Sequence, residues 1–549
     1  MVISPDMEMA WERYLPTDRL RWTRCRNSCP IWPSDPDLTI IKKLAASLLT
    51  ETPGLPDLSS LQVKFLADGA RHKVYELSHP SAYIPYLFRV AIPLDPYYKM
   101  ESEMATLAAI RRYTSIPVPR PISWSSSADN ELGYEWCLVE RVPGVELREV
   151  WRKMPWDKKL EVVDQMAEFM VQLWGPALRF SKIGSVYFDR PGGNKLGEHS
   201  RETEGHFTTI AAASQWGFNI GPSVDQAFFS DRRRYLDQDR GPYKTFHDYA
   251  KALVHVEMEY FKTARTLVMS KPEITNAYPD DDWDSIAMYD IGLDEDDLEE
   301  YDDIMAMFQA YIDLLPTVFP EKEEEGPDMA RFSLHHCDLR YTNVIVDPET
   351  YKVTGIIDWE QSITVPEWYT RDYPDFLQGD DPYDGDGHRT PDTYDSDDER
   401  YNAVVVDNRD RWDERLLRAR FDKKMEELGW KDWKRYSYED KAKSSFLQGL
   451  SDMADVGRAK FHLEQARQLL ASTTQAKENS GREESGHDVD DDVQGGCSPK
   501  VASEDKPSGS GSDSAIAADD QDLDNGKDDG GRSEVLEKAI AKADGSGSF

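Results

Sequence analysis

The residues best suited to chemistry are His336, Asp338 and Asn343, which have the spacing H-x-D-x4-N, and Asp358 further along the chain. An aspartate on a rigid loop can accept a hydroxyl proton. An asparagine and a second aspartate supply the hard oxygen ligands that Mg²⁺ prefers when it bridges phosphate oxygens. The pattern therefore predicts phosphoryl transfer to a hydroxyl group, with Asp338 as the base and Asn343 and Asp358 as metal ligands.

A β-hairpin is predicted to position these side chains. Val344–Val346 is a short apolar strand, a turn sequence follows it, and Val353–Ile357 is a second strand that ends on Asp358. The pairing of the two strands brings the loop and Asp358 together. The alternative is structural: the polar side chains cap a turn and a helix start, and His336 belongs to the core.

The flanking sequence predicts two different lobes. Short β-rich runs alternate with one helical pattern before residue 150, and long amphipathic helices follow it. The predicted strands are Val63–Leu66, Val74–Leu77, Tyr86–Ile92 and Glu135–Val142, and the predicted helices are Met100–Tyr113, Lys158–Trp174, Phe246–Met269, Asp303–Leu315 and Tyr438–Leu470. We predict an N-terminal extension (1–40), a small nucleotide-binding lobe (41–142), a large catalytic lobe (143–472) and a tail (473–549).

The chain is strongly acidic, with a formal net charge of −38 and a pI near 4.7. Such a chain repels nucleic acid and anionic lipid, so neither is expected as a partner. The N-terminus carries charges where a secretory signal needs an apolar run, and no segment is apolar enough to span a membrane. The five cysteines suit a reducing compartment. These features predict a cytoplasmic protein.

Three acidic segments stand out. Residues 280–303 hold 13 carboxylates, and residues 372–399 hold 11 in a predicted surface insertion. The tail from residue 473 has 19 acidic and 8 basic residues and is predicted to be disordered. The DGDG sequence within the insertion raises the alternative of a calcium site, but the spacing of its residues does not match that of an EF-hand. The C-x3-C pair Cys25 and Cys29 lacks the further ligands of a zinc site.

The sequence LHHCDLRYTNVIVDPETYKVTGIIDWE resembles the catalytic core of the aminoglycoside phosphotransferase and choline kinase-like family, especially its fungal branch. The resemblance covers residues 60–470 and implies an α+β, bilobal, protein kinase-like fold with ATP in the cleft. It implies that Asp338 is the catalytic base, that Asn343 and Asp358 hold Mg²⁺, and that His336 supports the loop backbone. Cys337 stands where the family commonly has glycine.

Two small-lobe segments resemble the donor-phosphate site of the family. The first is a nucleotide-covering hairpin in which Gly69 is the remaining glycine. In the second, Arg89 stands where protein kinases place a lysine, and relatives in the fungal branch often have arginine there. The resemblance implies that Arg89 contacts the phosphates and pairs with Glu103, with Glu101 as the alternative. A solvated strand cation is the structural interpretation of Arg89.

The segment Glu135-Trp-Cys-Leu-Val-Glu-Arg-Val-Pro-Gly resembles the hinge of the family. The resemblance implies that main-chain groups near Val139, Glu140 and Arg141 bind adenine. It also implies that Pro143-Gly144 turns the chain into the large lobe.

Together these features predict an ATP- and Mg²⁺-dependent phosphotransferase that acts on a hydroxyl group of a small molecule, and the acidic large lobe would favour a cationic acceptor. GTP as the donor stays open. A catalytically silent kinase-like module that binds nucleotide or recruits partners is the alternative, favoured by Arg89 and by a nucleotide-covering hairpin in which only Gly69 remains of the glycines. A protein kinase ranks third, because Thr364-Val-Pro-Glu-Trp stands where an A-P-E segment is expected.

Overall fold

The computed structural model describes residues 21–22, 30–50, 58–190, 207–270, 300–321, 332–379, 399–431, 433–434, 438–453 and 455–484. The chain divides into two units, Met1–Leu470 and Ala471–Phe549, and the site described below lies in the first. Cys25, Cys29, residues 280–299, residues 380–398 and the tail beyond residue 484 lie outside the described residues, so the predictions made for them stay predictions.

The strands are β1 (Arg21–Trp22), β2 (Pro30–Ile31), β3 (Gln62–Asp68), β4 (His72–Ser78), β5 (Tyr86–Ala91), β6 (Pro121–Ser125), β7 (Glu135–Glu140), β8 (Val145–Glu146), β9 (Arg179–Phe180), β10 (Ser185–Asp189), β11 (Phe207–Thr209), β12 (Gly217–Gly221), β13 (Phe332–His335), β14 (Val344–Val346), β15 (Val353–Ile356) and β16 (Ile363–Pro366). The helices are α1 (Leu38–Leu49), α2 (Tyr98–Tyr113), α3 (Leu147–Val150), α4 (Trp156–Leu173), α5 (Ile210–Ala213), α6 (Phe246–Ser270), α7 (Tyr301–Val318), α8 (Glu367–Thr370), α9 (Glu399–Glu427), α10 (Tyr438–Ser451) and α11 (Val456–Glu484).

The small lobe is an antiparallel sheet in the order β11-β6-β7-β5-β4-β3. All four predicted strands are present. One face of the sheet buries Phe88, Val90 and Leu138 in a cluster with Ile41 of α1. Strand β6 was not predicted, because its sequence PISWS is short, begins with proline and contains two serines. Its pairing with β7 overrides that weak local preference.

Helix α2 is buried on every side. The sequence predicts an apolar stripe on one face, yet all residues from Lys99 to Ile110 are buried. The reason is that α2 packs against β6 in the small lobe and against β10, which follows much later in the chain. The charged residues of α2 therefore need partners inside the protein.

The linker between the lobes packs directly on the predicted catalytic hairpin. Strand β8 pairs with β14, and β14 pairs with β15. Gly144 precedes β8 with φ +126°, and a Cβ atom at this position would lie 2.3 Å from the carbonyl oxygen of Val346. Only glycine fits this close approach.

We expect Gly144→Ala to destabilise the protein by roughly 3 kcal/mol, because it adds both a clash and an unfavourable φ. The matched control is Gly133→Ala, at φ +75° with no heavy atom within 4 Å, which adds only the unfavourable φ. Thermal unfolding of both variants measures the difference. Equal melting temperatures would contradict the packing described here.

The large lobe is mainly helical, which confirms the predicted α+β bilobal fold. Two helix predictions need correction. The pattern at residues 438–470 is two helices, because Asp455 caps α11 by accepting the amide N–H of Arg458 (3.1 Å). Helix α11 also continues to Glu484, past the predicted tail boundary at 473, because extending an existing helix avoids the cost of nucleation. Within the described ranges, none of the helices could span a membrane.

The large lobe also has more strands than expected. The sequence showed only the hairpin that follows Asn343, whereas the structure adds the antiparallel pair β10 and β12 and the sheet β16-β13-β9. Strand β13 therefore enters the predicted catalytic loop from the centre of a three-stranded sheet.

Candidate active site

The loop with the H-x-D-x4-N spacing connects β13 to β14 and is tied to the end of β15. The amide N–H of Asn343 donates to the carbonyl oxygen of Arg340 (3.0 Å), which closes the loop. The amide N–H of Ile357 donates to the carbonyl oxygen of Asn343 (2.9 Å). Because Asp358 follows Ile357 directly, the hairpin brings both predicted metal ligands to one place.

His336 joins the two halves of this site. Its Nε2 lies 3.0 Å from the carbonyl oxygen of Ile357, and its Nδ1 lies 3.1 Å from the amide nitrogen of Asp338. Burial lowers the pKa of His336 to about 4, so the ring is neutral. A neutral ring protonated on Nε2 donates to the first partner and accepts from the second. This is the geometry that a loop-supporting histidine requires.

Asp338 is held by two side chains. Both carboxylate oxygens accept hydrogen bonds from the guanidinium of Arg340, with Nη2 to Oδ2 at 2.5 Å. The Nδ2 of Asn343 donates to the carbonyl oxygen of Asp338 (2.7 Å) and to its Oδ2 (3.1 Å). The Arg340 side chain is 64% exposed, so it can leave Asp338 without breaking a buried contact.

The remaining atoms suit a magnesium ion. Among the described residues, none donates a hydrogen bond to the Oδ1 of Asn343, whose Nδ2 is the atom that contacts Asp338, so this oxygen could serve as a ligand. Burial, and then the negative charges of Glu360 and Glu103, raise the pKa of Asp358 to about 7. A bound cation would stabilise the ionised carboxylate and so lower this pKa. No group of three or more His, Cys, Asp or Glu residues forms a metal cluster in the described ranges. Two oxygen ligands fit Mg²⁺, which keeps its waters and binds phosphates.

Arg89 reaches the cleft from β5, and its guanidinium contacts the carboxylate of Glu103 on α2. Glu101, the alternative partner, lies elsewhere: its carboxylate accepts from Arg190 (2.8 Å) and from the hydroxyl of Ser126 (2.8 Å). The Nε of Arg89 is buried and has no hydrogen-bond partner among the described residues. Arg89 is therefore a largely buried cation that is paired with Glu103.

The turn that contains Gly69 lies between β3 and β4 and reaches the large lobe. A Cβ atom on Gly69 would meet no heavy atom within 4 Å. Lys99, at the start of α2, donates from Nζ to Glu360 Oε2 (2.7 Å). Arg71, from the turn, and His72, the first residue of β4, each approach the same carboxylate at 3.4 Å. Glu360 thus gathers three small-lobe side chains two residues after Asp358.

The predicted hinge is partly occupied by the protein itself. The amide N–H of Glu140 donates to the carbonyl oxygen of Arg120 (2.9 Å), and that of Arg141 donates to the carbonyl oxygen of Pro85 (2.9 Å). These two donors cannot also bind adenine without breaking those bonds. The predicted recognition of adenine near Val139 to Arg141 would therefore need carbonyl groups or other amides. Strand β7 lies between β6 and β5 in the sheet, and the side chains of its sequence do not indicate which main-chain groups these neighbours occupy.

Further carboxylates lie on the large-lobe side of Asp338. Burial, and then the charge of Asp338, raise the pKa of Asp375 to about 6. Asp225 accepts the hydroxyl of Tyr249 (2.5 Å), and its charge adds to burial in raising the pKa of Tyr369. The Tyr369 ring contacts His335, the residue before the loop, at 5.4 Å between ring centroids. An acidic, aromatic surface therefore adjoins the predicted base.

Sequence reasoning missed Arg340, Lys99, Glu360 and Asp375. Arg340 stands two residues after Asp338 and Glu360 two residues after Asp358, so proximity in the motif was an available signal for both. Lys99 had the signal of lying one helical turn before Glu103. Asp375 had none, since only the tertiary fold brings it to Asp338.

The sequence model of the phosphotransferase enzyme family (APH) matches residues 62–366, more than half of the chain, and the chain belongs to this family. A subtelomeric hrmA-associated cluster protein of Aspergillus fumigatus is 24% identical over 59% of this chain and 61% of its own length. A protein of Candida tropicalis named altered inheritance of mitochondria protein 9, mitochondrial, is 26% identical over 56% of this chain and 48% of its own length. The chain thus spans about half to three fifths of these relatives.

Among solved structures, choline kinase from Cryptosporidium parvum covers 82% of this chain and 97% of its own, at 12% identity and a TM-score of 0.31. A TM-score this low does not by itself establish a shared fold. The kinase-like fold rests on the family match and on the lobes, sheets and hairpin described above.

The comparison with related proteins contradicts the predicted cytoplasmic location, which is therefore wrong. Several relatives, from Candida tropicalis, Candida albicans and Meyerozyma guilliermondii, carry the word mitochondrial in their names. The prediction depended on charged residues where a secretory signal needs an apolar run, and that feature does not distinguish the cytoplasm from mitochondria.

Proposed function

We propose that the protein is an ATP- and Mg²⁺-dependent phosphotransferase that moves a phosphoryl group to a hydroxyl group of a small molecule. The observation that carries the proposal is the hairpin that brings Asp338, Asn343 and Asp358 together through His336. Membership of the phosphotransferase enzyme family supports it.

In the proposed mechanism the protein works mainly by positioning. Asp338 orients the acceptor hydroxyl and accepts its proton while the hydroxyl oxygen attacks the terminal phosphorus and the bond to the nucleoside diphosphate breaks. Arg89 holds the donor phosphates. Asn343 and Asp358 would hold Mg²⁺, which would supply charge neutralisation for the phosphate oxygens. The Arg340 guanidinium leaves Asp338 before the acceptor hydroxyl binds.

The acidic surface beside Asp338 favours a cationic acceptor. Asp375 is exposed and Asp225 is partly buried, both carboxylates lie next to the loop, and Tyr369 offers an aromatic face. Carboxylates combined with an aromatic face stabilise an ammonium group. We infer that amine-bearing alcohols are the first acceptors to test.

A silent nucleotide-binding module is the second candidate. The observation in its favour is the pairing of both Asp338 oxygens with Arg340. If that pair persisted with nucleotide bound, Asp338 could not accept a proton efficiently.

One experiment separates these functions. Full-length protein is titrated with ATP and with GTP, with and without Mg²⁺, and product nucleotide is measured with a panel of amino sugars and amino alcohols. Acceptor-dependent release of diphosphate nucleotide supports the phosphotransferase. Mg²⁺-nucleotide binding without turnover across the panel supports the silent module. A protein that binds no nucleotide would contradict both.

We expect Gly69→Val to weaken ATP binding while leaving the melting temperature within about 1 °C, because the site has room for a Cβ atom and no positive φ. The added branches would instead occupy space beside the donor phosphates. Calorimetric titration and thermal unfolding of the same preparation check both parts. Unchanged nucleotide affinity would remove Gly69 from the site.

We infer a mitochondrial location from the relatives named above. Fractionation of cells that express the full chain with a C-terminal epitope tag should place it with mitochondrial markers. Recovery in the cytosolic fraction alone would overturn this inference.

A further inference from the structure

The inference concerns Lys99 and Glu360, the buried ion pair that joins the two lobes beside the proposed magnesium site. Lys99 is 2% exposed and Glu360 9% exposed, with 2.7 Å between Nζ and Oε2. An ammonium group buried to this extent is costly unless it is paired. The start of α2 and the segment after Asp358 are therefore held at a fixed separation.

The position of Lys99 on α2 links its ion pair with Glu360 to the ion pair between Glu103 and Arg89. Lys99 and Glu103 are four residues apart, so they occupy the same face of the helix. Glu103 contacts Arg89 on β5. On the other side of the cleft, Glu360 stands two residues after Asp358 in the same segment. The two ion pairs thus connect the proposed phosphate contact, Arg89, to the proposed metal ligand, Asp358.

The same carboxylate also orients the turn above the cleft. Arg71 and His72 lie 3.4 Å from Glu360 and stand two and three residues after Gly69. His72 Nε2 lies 3.2 Å from Lys99 Nζ, so the ring, the amine and the carboxylate form one cluster. These contacts hold the turn that contains Gly69 against the segment that contains Glu360.

We propose that Glu360 and Lys99 are positioning residues, which set the distance between Arg89, the Gly69 turn and Asp358 without contacting the nucleotide themselves. This inference rests on the proposed function. It adds that the donor site is assembled by an ion pair between the lobes, and that the two side chains act as a unit.

The test measures Mg²⁺-ATP affinity of the full-length chain by calorimetry for Lys99→Met, Glu360→Gln and the double variant. We expect each single change to weaken binding roughly 10- to 100-fold, as for residues that orient metal ligands. The double variant should lose no more than the more affected single variant, because the partners act together.

Lys43→Met is the matched control. Lys43 pairs with Glu131 at the same 2.7 Å, but the two side chains are 67% and 50% exposed. This change should leave affinity unaltered. If a single variant fails to fold, the double variant carries the test, because it leaves neither charge of the pair buried alone.

Two results would overturn the inference: a folded double variant that binds Mg²⁺-ATP as tightly as the wild type, or single effects that multiply in the double variant, which would give each residue a separate role. Failure of the proposed function is distinguishable, since the wild-type protein would then bind no Mg²⁺-nucleotide.

Discussion

Asp338→Asn is expected to lower the turnover number about 10²- to 10⁴-fold while nucleotide affinity stays near the wild-type value. Asparagine preserves the shape of the side chain and its contact with the Asn343 amide, but it cannot accept a proton. Because the loop is supported by His336 through the main chain of Asp338, the fold should not change. Steady-state kinetics with the acceptor found in the panel, together with nucleotide titration, measure both quantities.

The control for this variant is Asp347→Asn, in the turn of the same hairpin. Asp347 Oδ1 accepts the amide N–H groups of Glu349 (3.0 Å) and Thr350 (2.8 Å), and an asparagine oxygen can replace it. Turnover should be unchanged. Undiminished turnover in Asp338→Asn would exclude Asp338 as the base.

Asp358→Asn is expected to abolish the dependence of nucleotide binding on Mg²⁺. Asparagine tolerates the left-handed backbone at this position, where φ is +62°, so the substitution removes the charge without straining the chain. Loss of a direct ligand should exceed the roughly 10- to 100-fold effect of outer partners on metal affinity. Titrations with ATP in the presence of Mg²⁺ or of a chelator measure the change.

A pH series without metal provides an independent check on the same variant. The pKa of Asp358 is raised to about 7, so the contribution of this residue to the stability of the wild-type protein falls as pH rises from about 4 to 7, where the unfolded chain is already ionised. Asparagine lacks this penalty. Asp358→Asn should therefore be more stable than the wild type at pH 8, by on the order of 3 kcal/mol, and the advantage should vanish near pH 4. A variant less stable than the wild type at pH 8 would contradict the buried setting of Asp358.

The sequence was most informative where chemistry and local structure coincide. The hairpin around Asn343 and Asp358 was predictable because the strands, the turn and the polar residues are adjacent in the chain. The pairing of Arg89 with Glu103 was predictable only from the resemblance to the family. The choice between Glu103 and Glu101 depended on Arg190, a residue of the large lobe that no local pattern connects to α2.

Other features depend on long-range packing and were therefore missed. Strand β6 is formed by pairing with β7 and not by its own residues. The hinge amides of Glu140 and Arg141 are occupied by carbonyl groups of distant segments. Lys99 and Glu360 are ordinary charged residues in the sequence, and only the packing of α2 between the lobes makes their burial and pairing visible.

The burial of α2 on every side also determines how this chain tolerates mutation. Twelve successive positions from Lys99 to Ile110 have no solvent-facing side chain, so almost any change of volume or polarity there creates a cavity, a clash or an unpaired charge. A survey of all single substitutions will therefore record this helix as intolerant along its length, as it would a catalytic loop. Intolerance at Ala105 or Ala109 would report packing between the lobes, whereas at Asp338, which is partly exposed, it would report chemistry.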